Sequence, residues 1–350
     1  MNKIDESNKP EIYLCCYTKK DFDHVKSSTG YPYLTETNVN SDLTLFDRAI
    51  NKITTFLFGY HMITKPPIRN LDAIFPCTTD FIFDKMGAKI FWVPDFQEYY
   101  YPEFFSEEEL SKRKTRHLEW IQSGGQFVFS SQCVKDDFHE FYPHAKVKTT
   151  VLNFAVTHHS IPFDEKTALK KYRLNSFSYF MCSNQFWQHK NHWVILKALL
   201  ELKKAGISVK IIFTGSKIDN RNPDYYRTIE EYVIKHELSS YASFLGLIPR
   251  EEQLELLKYS RAIIQPSLFE GWSTIVEDAK ALNKHLLLSD IPVHREQIDQ
   301  GVDFFDPQSQ IALTELLIKY TKNRPMVVDH KYEQHIQRFG KKFLGVLKDE

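Results

Sequence analysis

Gln265-Pro266-Ser267-Leu268-Phe269-Glu270-Gly271-Trp272-Ser273-Thr274-Ile275-Val276-Glu277-Asp278-Ala279-Lys280-Ala281-Leu282 decides the fold class. The apolar residues leading into Gln265 read as a buried strand, and an amphipathic helix is expected to start near Thr274. Glu270, Gly271 and the hydroxyls of Ser273 and Thr274 therefore stand on a strand-to-helix turn. The first N–H groups of a helix have no internal partner and carry the positive end of its dipole, so such a turn is suited to an anion. Gly271, lacking a Cβ, lets a phosphate approach the backbone closely. Glu277 reads as half of a capping box with Thr274.

Around that turn, short apolar runs alternate with amphipathic stretches. Strands are expected at 179–182, 209–214, 243–246, 262–265 and 285–288, with helices at 191–204 (stopped by Gly206), 224–235, 251–259 and 274–282 and a loop at 290–297. This order predicts a doubly wound parallel sheet whose loops gather at the carboxyl ends of the strands, where such sheets bind ligands. The first half repeats the pattern, with strands at 12–16, 73–75, 89–93, 127–130 and 147–152 and helices at 43–59, 107–122 and 133–141. A linker is expected over 153–164, where alternation breaks at Pro162, and a last helix over 331–347.

The 350 residues suffice for two domains, each with its own core. Lys plus Arg equals Asp plus Glu at 45 each, so no global field attracts nucleic acid, and no nucleic-acid partner is expected. No apolar run reaches the roughly 20 residues of a membrane span, and the polar opening does not read as a signal peptide. The five cysteines lack a Cys-x-x-Cys pair and read as buried free thiols of a reducing cytosol. Aromatic residues cluster between Phe91 and Phe105, as core or as a rim for docking a sugar or lipid surface. Lys112-Arg113-Lys114 offers a face for peripheral membrane contact, with a solvated helix face as the alternative.

A carboxylate beside a phosphate pocket repels its ligand unless it has something else to hold, and the hydroxyls of a sugar carried on that phosphate suit it. The turn thus points to a nucleotide-sugar. The stretch resembles the Glu-x7-Glu signature of retaining GT-B glycosyltransferases, family 4 above all, where Pro-Ser-x-x-Glu-Gly-Phe precedes a helix with a second acid. Glu270 matches the first acid, and Asp278 stands where relatives usually carry a second Glu. Ser183-Asn184-Gln185-Phe186-Trp187-Gln188-His189-Lys190-Asn191-His192 resembles the Gly-Arg-x4-Lys-Gly or Lys-Asn loop of the same enzymes. Lys190 falls on their diphosphate-binding lysine, Gln185 on a phosphate-binding arginine and Asn184 on the loop glycine. An ammonium at Lys190 would neutralise charge on the leaving diphosphate without a metal; as a plain helix-start lysine it would be disfavoured by the dipole. His189 and His192 are either ligand contacts or ordinary helix-start residues.

In Trp92-Val93-Pro94-Asp95-Phe96-Gln97, relatives carry His-Asp after the strand; Pro94 takes the place of the histidine and Asp95 remains. Asp95 is a candidate for orienting the acceptor hydroxyl or the sugar, a turn aspartate being the plainer reading. Ser130-Ser131 reads as a helix cap, and Phe244-Leu245-Gly246-Leu247 lies where relatives pack the nucleobase. The resemblance therefore implies catalysis at Glu270, Lys190 and Asp95. It implies donor binding at Gln185, Lys190, Gly246, Leu247, Glu270, Gly271, Trp272, Ser273, Thr274 and Asp278, with Glu270 at the sugar and Asp278 at the ribose.

It further implies an α/β chain of GT-B fold, two facing Rossmann-like domains with a cleft between them. Residues 1–157 would form the acceptor side, shortened at its start because no glycine-rich turn follows a first strand. Residues 165–330 would bind the donor and 331–350 would cross back as a helix. The implied activity is a retaining, metal-independent transfer of a hexosyl or deoxyhexosyl group from a nucleoside diphosphate sugar to a hydroxyl of a glycan or lipid-linked acceptor. No cofactor is expected, the setting is cytoplasmic polysaccharide or glycoconjugate synthesis, and retention implies front-face attack with the leaving phosphate taking the acceptor proton. The alternatives are a noncatalytic donor-binding or scaffold subunit, and a related epimerase or phosphorylase.

Overall fold

A computed structural model describes residues 2, 4–16, 18–37, 46, 49, 50, 52–54, 71–78, 87–158 and 166–348, and in it the apolar runs become three parallel sheets. Ile12–Cys15 (β1) pairs with Leu34–Thr37 (β2), joined by the helix Lys19–Thr29, which Thr18 and Asp21 cap reciprocally. Ala73–Ile74 (β3), Ala88–Val93 (β4), Gln126–Phe129 (β5) and Thr149–Val151 (β6) form a second sheet in chain order. Phe180–Ser183 (β7), Ile211–Thr214 (β8), Ala242–Gly246 (β9), Ile263–Gln265 (β10), Leu286–Ser289 (β11) and Val302–Phe305 (β12) form the third. Its order is β12-β11-β10-β7-β8-β9. The chain winds one way from β7 to β9 and the other way from β10 to β12, so a crevice opens between β7 and β10.

Every residue of β7, β8, β10 and β11 is buried, as expected of parallel strands covered on both faces. Successive side chains alternate between two cores. Phe180, Cys182, Ile211 and Phe213 meet Ile195, Leu199 and Leu317 on one face, while Met181, Ile212, Ile263 and Leu288 meet Leu254, Leu257 and Val276 on the other. The second sheet has an aromatic core in which Phe91 stacks on Trp120 at 4.8 Å and Phe127 packs on Phe138. Phe91 and Phe96 are thus core residues, whereas Tyr100, Tyr101 and Phe104 reach outward to the third sheet's loops. The last helix, Tyr332–Lys348, lays Phe339, Phe343 and Val346 against Phe75, Ile90 and Val128 of the second sheet.

Several expectations are corrected. The stretch expected as a loop at 290–297 holds the helix Pro292–Gln297, started by a proline at its first turn, where the missing N–H costs nothing. β2, β12 and the helix Gln310–Lys322 were not anticipated. All five cysteines are free, but Cys15 is exposed and Cys16 and Cys133 only partly covered. Most of the helix expected at 43–59 and the second half of the expected linker, Pro162 included, lie outside the described residues. Among the described residues, no helix is long and apolar enough to cross a membrane.

Candidate active site

Both motif loops leave the sheet at its switch point. The loop after β7 carries Lys190 and the loop after β10 carries Glu270, and Lys190 Nζ donates to Glu270 Oε1 at 2.6 Å. Gln265 Nε2 at 2.8 Å and Ser267 Oγ at 2.7 Å donate to the same oxygen. Glu270 Oε2 takes no hydrogen bond among the described residues. The pair is largely enclosed, with side-chain exposures of 15% for Lys190 and 9% for Glu270. Burial works to raise the Glu270 carboxyl, but the charge and hydrogen bond of Lys190, helped by His294 and Ser267, hold it below the usual carboxylate range.

The support for this pair is a set of side-chain amides. Asn184 Nδ2 donates to Gln265 Oε1 at 2.7 Å, which turns the Gln265 NH₂ group toward Glu270. Asn191, in a left-handed conformation at φ +54° that asparagine tolerates, donates to the carbonyls of Pro266 at 3.1 Å and Pro307 at 2.9 Å. Leu268 N donates to His189 O at 2.8 Å, which ties the two loops together. Behind them Gly215 is required: a Cβ there would stand 2.0 Å from Asn184 O. Gln265 and Gly215 were missed from sequence, the first because a polar residue closing a strand carries no motif, the second because its partner is 31 positions away.

Across the crevice, the loop after β4 faces this pair. Asp95 Oδ1 accepts from Gln97 N at 3.0 Å, the turn contact anticipated as its plain role. Its half-buried carboxyl nevertheless stands close enough to Glu270 and Lys190 for their charges to act on it, and burial raises it above the usual range. The missing side chain of Gly271 makes room for protein, a close approach that the sequence did not signal. A Cβ at Gly271 would lie 2.0 Å from Pro94 O. Further contacts close the same seam: Trp272 Nε1 donates to Phe154 O at 3.2 Å, and Arg221 donates to Gln97 Oε1 at 3.2 Å while stacking on Trp187. Glu296 accepts from Gln132 N at 2.7 Å and Cys133 N at 3.1 Å, at the start of the helix Gln132–Phe141. Ser131 caps that helix through Val134 N, as expected.

The remaining expected residues divide. Gln185 and Thr274 are exposed, and Leu247 at the end of β9 is 82% exposed, an apolar surface on the carboxyl edge of the sheet. Gly246 accepts from Gly215 N at 2.9 Å. Ser273 N is not free for an anion, because Gln297 Oε1 accepts from it at 3.1 Å. Glu277 forms no capping box with Thr274. It is buried, accepting from Lys280 Nζ at 2.8 Å, Gln297 Nε2 at 2.9 Å and Tyr332 OH. Asp278 is not presented to a ribose: it is 0% exposed, and Arg250 and His158 occupy its oxygens. His192 is a core residue stacked on Phe186 at 4.5 Å, and His189 is buried beside Phe104. Lys112 pairs with Glu108 and Arg113 with Glu98, so two of the three cations of that run have acidic partners.

A family model described as "Glycosyl transferases group 1" matches residues 164–343. The chain is 22% identical over 289 residues to the O-antigen chain mannosyltransferase RfbU of Salmonella typhimurium, covering 80% of this chain and 74% of that protein. Among solved structures it is similar to a glycosyltransferase from Rickettsia africae, with a TM-score of 0.62 and 14% identity over 96% of this chain and 87% of the other. It is equally similar to HepE of Anabaena in complex with UDP and glucose, with a TM-score of 0.62 and 12% identity over 96% of this chain and 89% of the other. At these identities the structural likeness speaks to the fold, which is GT-B: Rossmann-like α/β halves facing across a cleft.

Proposed function

The chain belongs to the group 1 glycosyl transferases, and from that premise we propose that it transfers a hexosyl or deoxyhexosyl group from a nucleoside diphosphate sugar to a hydroxyl of a surface glycan or its lipid-linked precursor. The observation that carries this reading is the Lys190–Glu270 pair at the switch point between β7 and β10. The mannosyltransferase relative and the neighbour solved with UDP and glucose support the class of donor and the setting.

In this reading the third sheet binds the donor and the second sheet's loops receive the acceptor. An ammonium has three N–H donors, and Lys190 spends one on Glu270, leaving the others for the diphosphate. As the glycosidic bond breaks, negative charge grows on that diphosphate, and a fixed ammonium in an enclosed site stabilises it more than water would. Glu270, ionised and anchored through Oε1, offers Oε2 to hydroxyls of the sugar. Asp95, within range of the charges of Glu270 and Lys190, stands where the acceptor hydroxyl would enter and orients it, while the leaving phosphate takes the acceptor proton. Exposed Leu247 gives the base an apolar surface to lie on. The charge is supplied by Lys190 rather than a metal, and retention follows from front-face attack.

Calorimetric titration of UDP, GDP, dTDP, CDP and ADP against wild type and Lys190→Ala tests this, followed by turnover of the matching sugar nucleotide. Selective binding that the variant loses, with turnover, is the expected result. No binding to any nucleotide would overturn the donor site. Binding without turnover on any acceptor would favour the noncatalytic alternative, to which Gln185 and Pro94 lend support.

A further inference from the structure

We propose that Arg250, and not Asp278, is the residue that meets the ribose of the donor nucleotide. This rests on the donor-site assignment above.

Asp278 cannot make that contact from where it lies. Its carboxylate has no exposure. Arg250 Nη1 donates to Oδ2 at 2.8 Å, Arg250 Nη2 donates to Oδ1, and His158 Nε2 lies 2.9 Å from Oδ1. The end-on fork of the guanidinium thus closes over the acid, and the arginine is its outermost member, with 42% of its side chain exposed. A buried carboxylate held by a bidentate arginine does not exchange that partner for the hydroxyls of a sugar, because breaking a buried pair leaves an uncompensated charge.

The arginine stands where a nucleoside would lie. It opens the helix Arg250–Tyr259, four residues after Gly246 at the carboxyl end of β9, and one turn from Gln253. Nη1 donates its second hydrogen to Gln253 Oε1 at 2.8 Å, and Gln253 Nε2 in turn donates to Ser183 Oγ at the end of β7, next to the Asn184–Gln185 turn. The network Ser183–Gln253–Arg250–Asp278 therefore runs along the carboxyl edge of the sheet, from the loop that carries Lys190 to the loop that carries Leu247. A guanidinium has five N–H donors in a rigid plane. Three are used here, two on Asp278 and one on Gln253, which leaves Nε–H and the second Nη2–H. Among the described residues neither is taken, and together they form the side-on fork. Two neighbouring hydroxyl oxygens, the 2′ and 3′ oxygens of a ribose, match that fork as acceptors. Asp278 then acts as a positioning residue that fixes the plane of the arginine, and His158 holds Asp278 from the segment leaving β6.

The experiment compares calorimetric affinities of the full chain for UDP and GDP with those for their 2′-deoxy forms, in wild type, Arg250→Met, Arg250→Lys and Asp278→Asn. Wild type is expected to prefer the ribose form by about tenfold, the value of one hydrogen bond to a charged group. Arg250→Met should lose that preference and bind the ribose form about tenfold more weakly. Arg250→Lys, which keeps a counter-charge beside Asp278 and so protects the fold, should lose the preference as well. Asp278→Asn should retain part of it. If Arg250→Met binds as well as wild type or better while Asp278→Asn loses the preference, the acid itself meets the ribose and the proposal is overturned. Weaker binding with the 2′-deoxy discrimination intact in both arginine variants would place the guanidinium at phosphate, and would also overturn it. If wild type binds no nucleoside diphosphate, the donor site itself falls, and this assignment with it; thermal unfolding of each variant confirms that the fold is present in every arm.

Discussion

Replacing Lys190 by Met removes the cation from an enclosed pair while keeping most of the side-chain volume, so the consequence for stability is electrostatic. Breaking one side of a buried ion pair costs roughly 3–5 kcal/mol. Gln265 and Ser267 still donate to Glu270 Oε1 in the variant, which places the expected loss near the lower end, about 3 kcal/mol at neutral pH. At about 2–4 °C per kcal/mol for a domain of this size, the midpoint of thermal unfolding should fall by roughly 6–12 °C. The pH dependence identifies the cause. In wild type the Glu270 carboxyl is held below its unfolded value, so its contribution is full above that value and is lost as pH falls through the folded pKa. Without Lys190, burial dominates and raises the folded pKa, so the variant's contribution is lost as pH rises. The gap between the two proteins must therefore widen from about pH 4.5 to neutrality. Urea unfolding across that range measures it, and Glu270→Gln in the Lys190→Met background should abolish the widening. A gap independent of pH, or one that persists in the double variant, would refute the electrostatic account. Turnover should fall at least about 100-fold in Lys190→Met, the scale of losing one preorganised group at a developing charge.

Gly271→Ala places a Cβ against Pro94 O and should hold the seam between the halves open; turnover is expected to fall at least about tenfold, with a larger radius of gyration in small-angle scattering, and an unchanged rate would refute the tight approach. Tyr332→Phe deletes the hydroxyl that donates to Glu277 and accepts from Val156 N, so urea unfolding should show a loss of about 2–4 kcal/mol; a loss under about 1 kcal/mol would count against a buried network there. Burial pushes the His192 imidazole down to about 3, so between that value and the unfolded one the unfolded chain binds the extra proton and stability rises with pH. His192→Phe should flatten this slope by up to about 1.4 kcal/mol per pH unit in acid, and an unchanged slope would show that the ring is solvated. Treatment with EDTA should leave sugar transfer unchanged; loss of activity restored by a divalent cation would show that Lys190 is not the sole source of charge neutralisation.

What could be read from the sequence alone was the part encoded locally. Buried parallel strands such as β7, β8 and β10 are short continuous apolar runs, and their crossover helices carry the three-to-four-residue period, so the elements from Phe180 to Ser289 lie within a few residues of where periodicity puts them. Glu270 stood out through the chemistry of its strand-to-helix turn, whereas Lys190 was pointed to by the resemblance of its loop to that of a known family. Only the tertiary structure decided which groups meet. Strand order set Lys190 against Glu270, although 80 residues separate them. It gave Asp278 to Arg250 and His158, Ser273 N to Gln297, Glu277 to Tyr332, and the space beside Gly271 to Pro94. The sequence holds many acids and cations of equal intrinsic strength, and neither periodicity nor propensity ranks them as partners. Burial does, because a charge removed from water must take whichever partner the packed elements bring within reach.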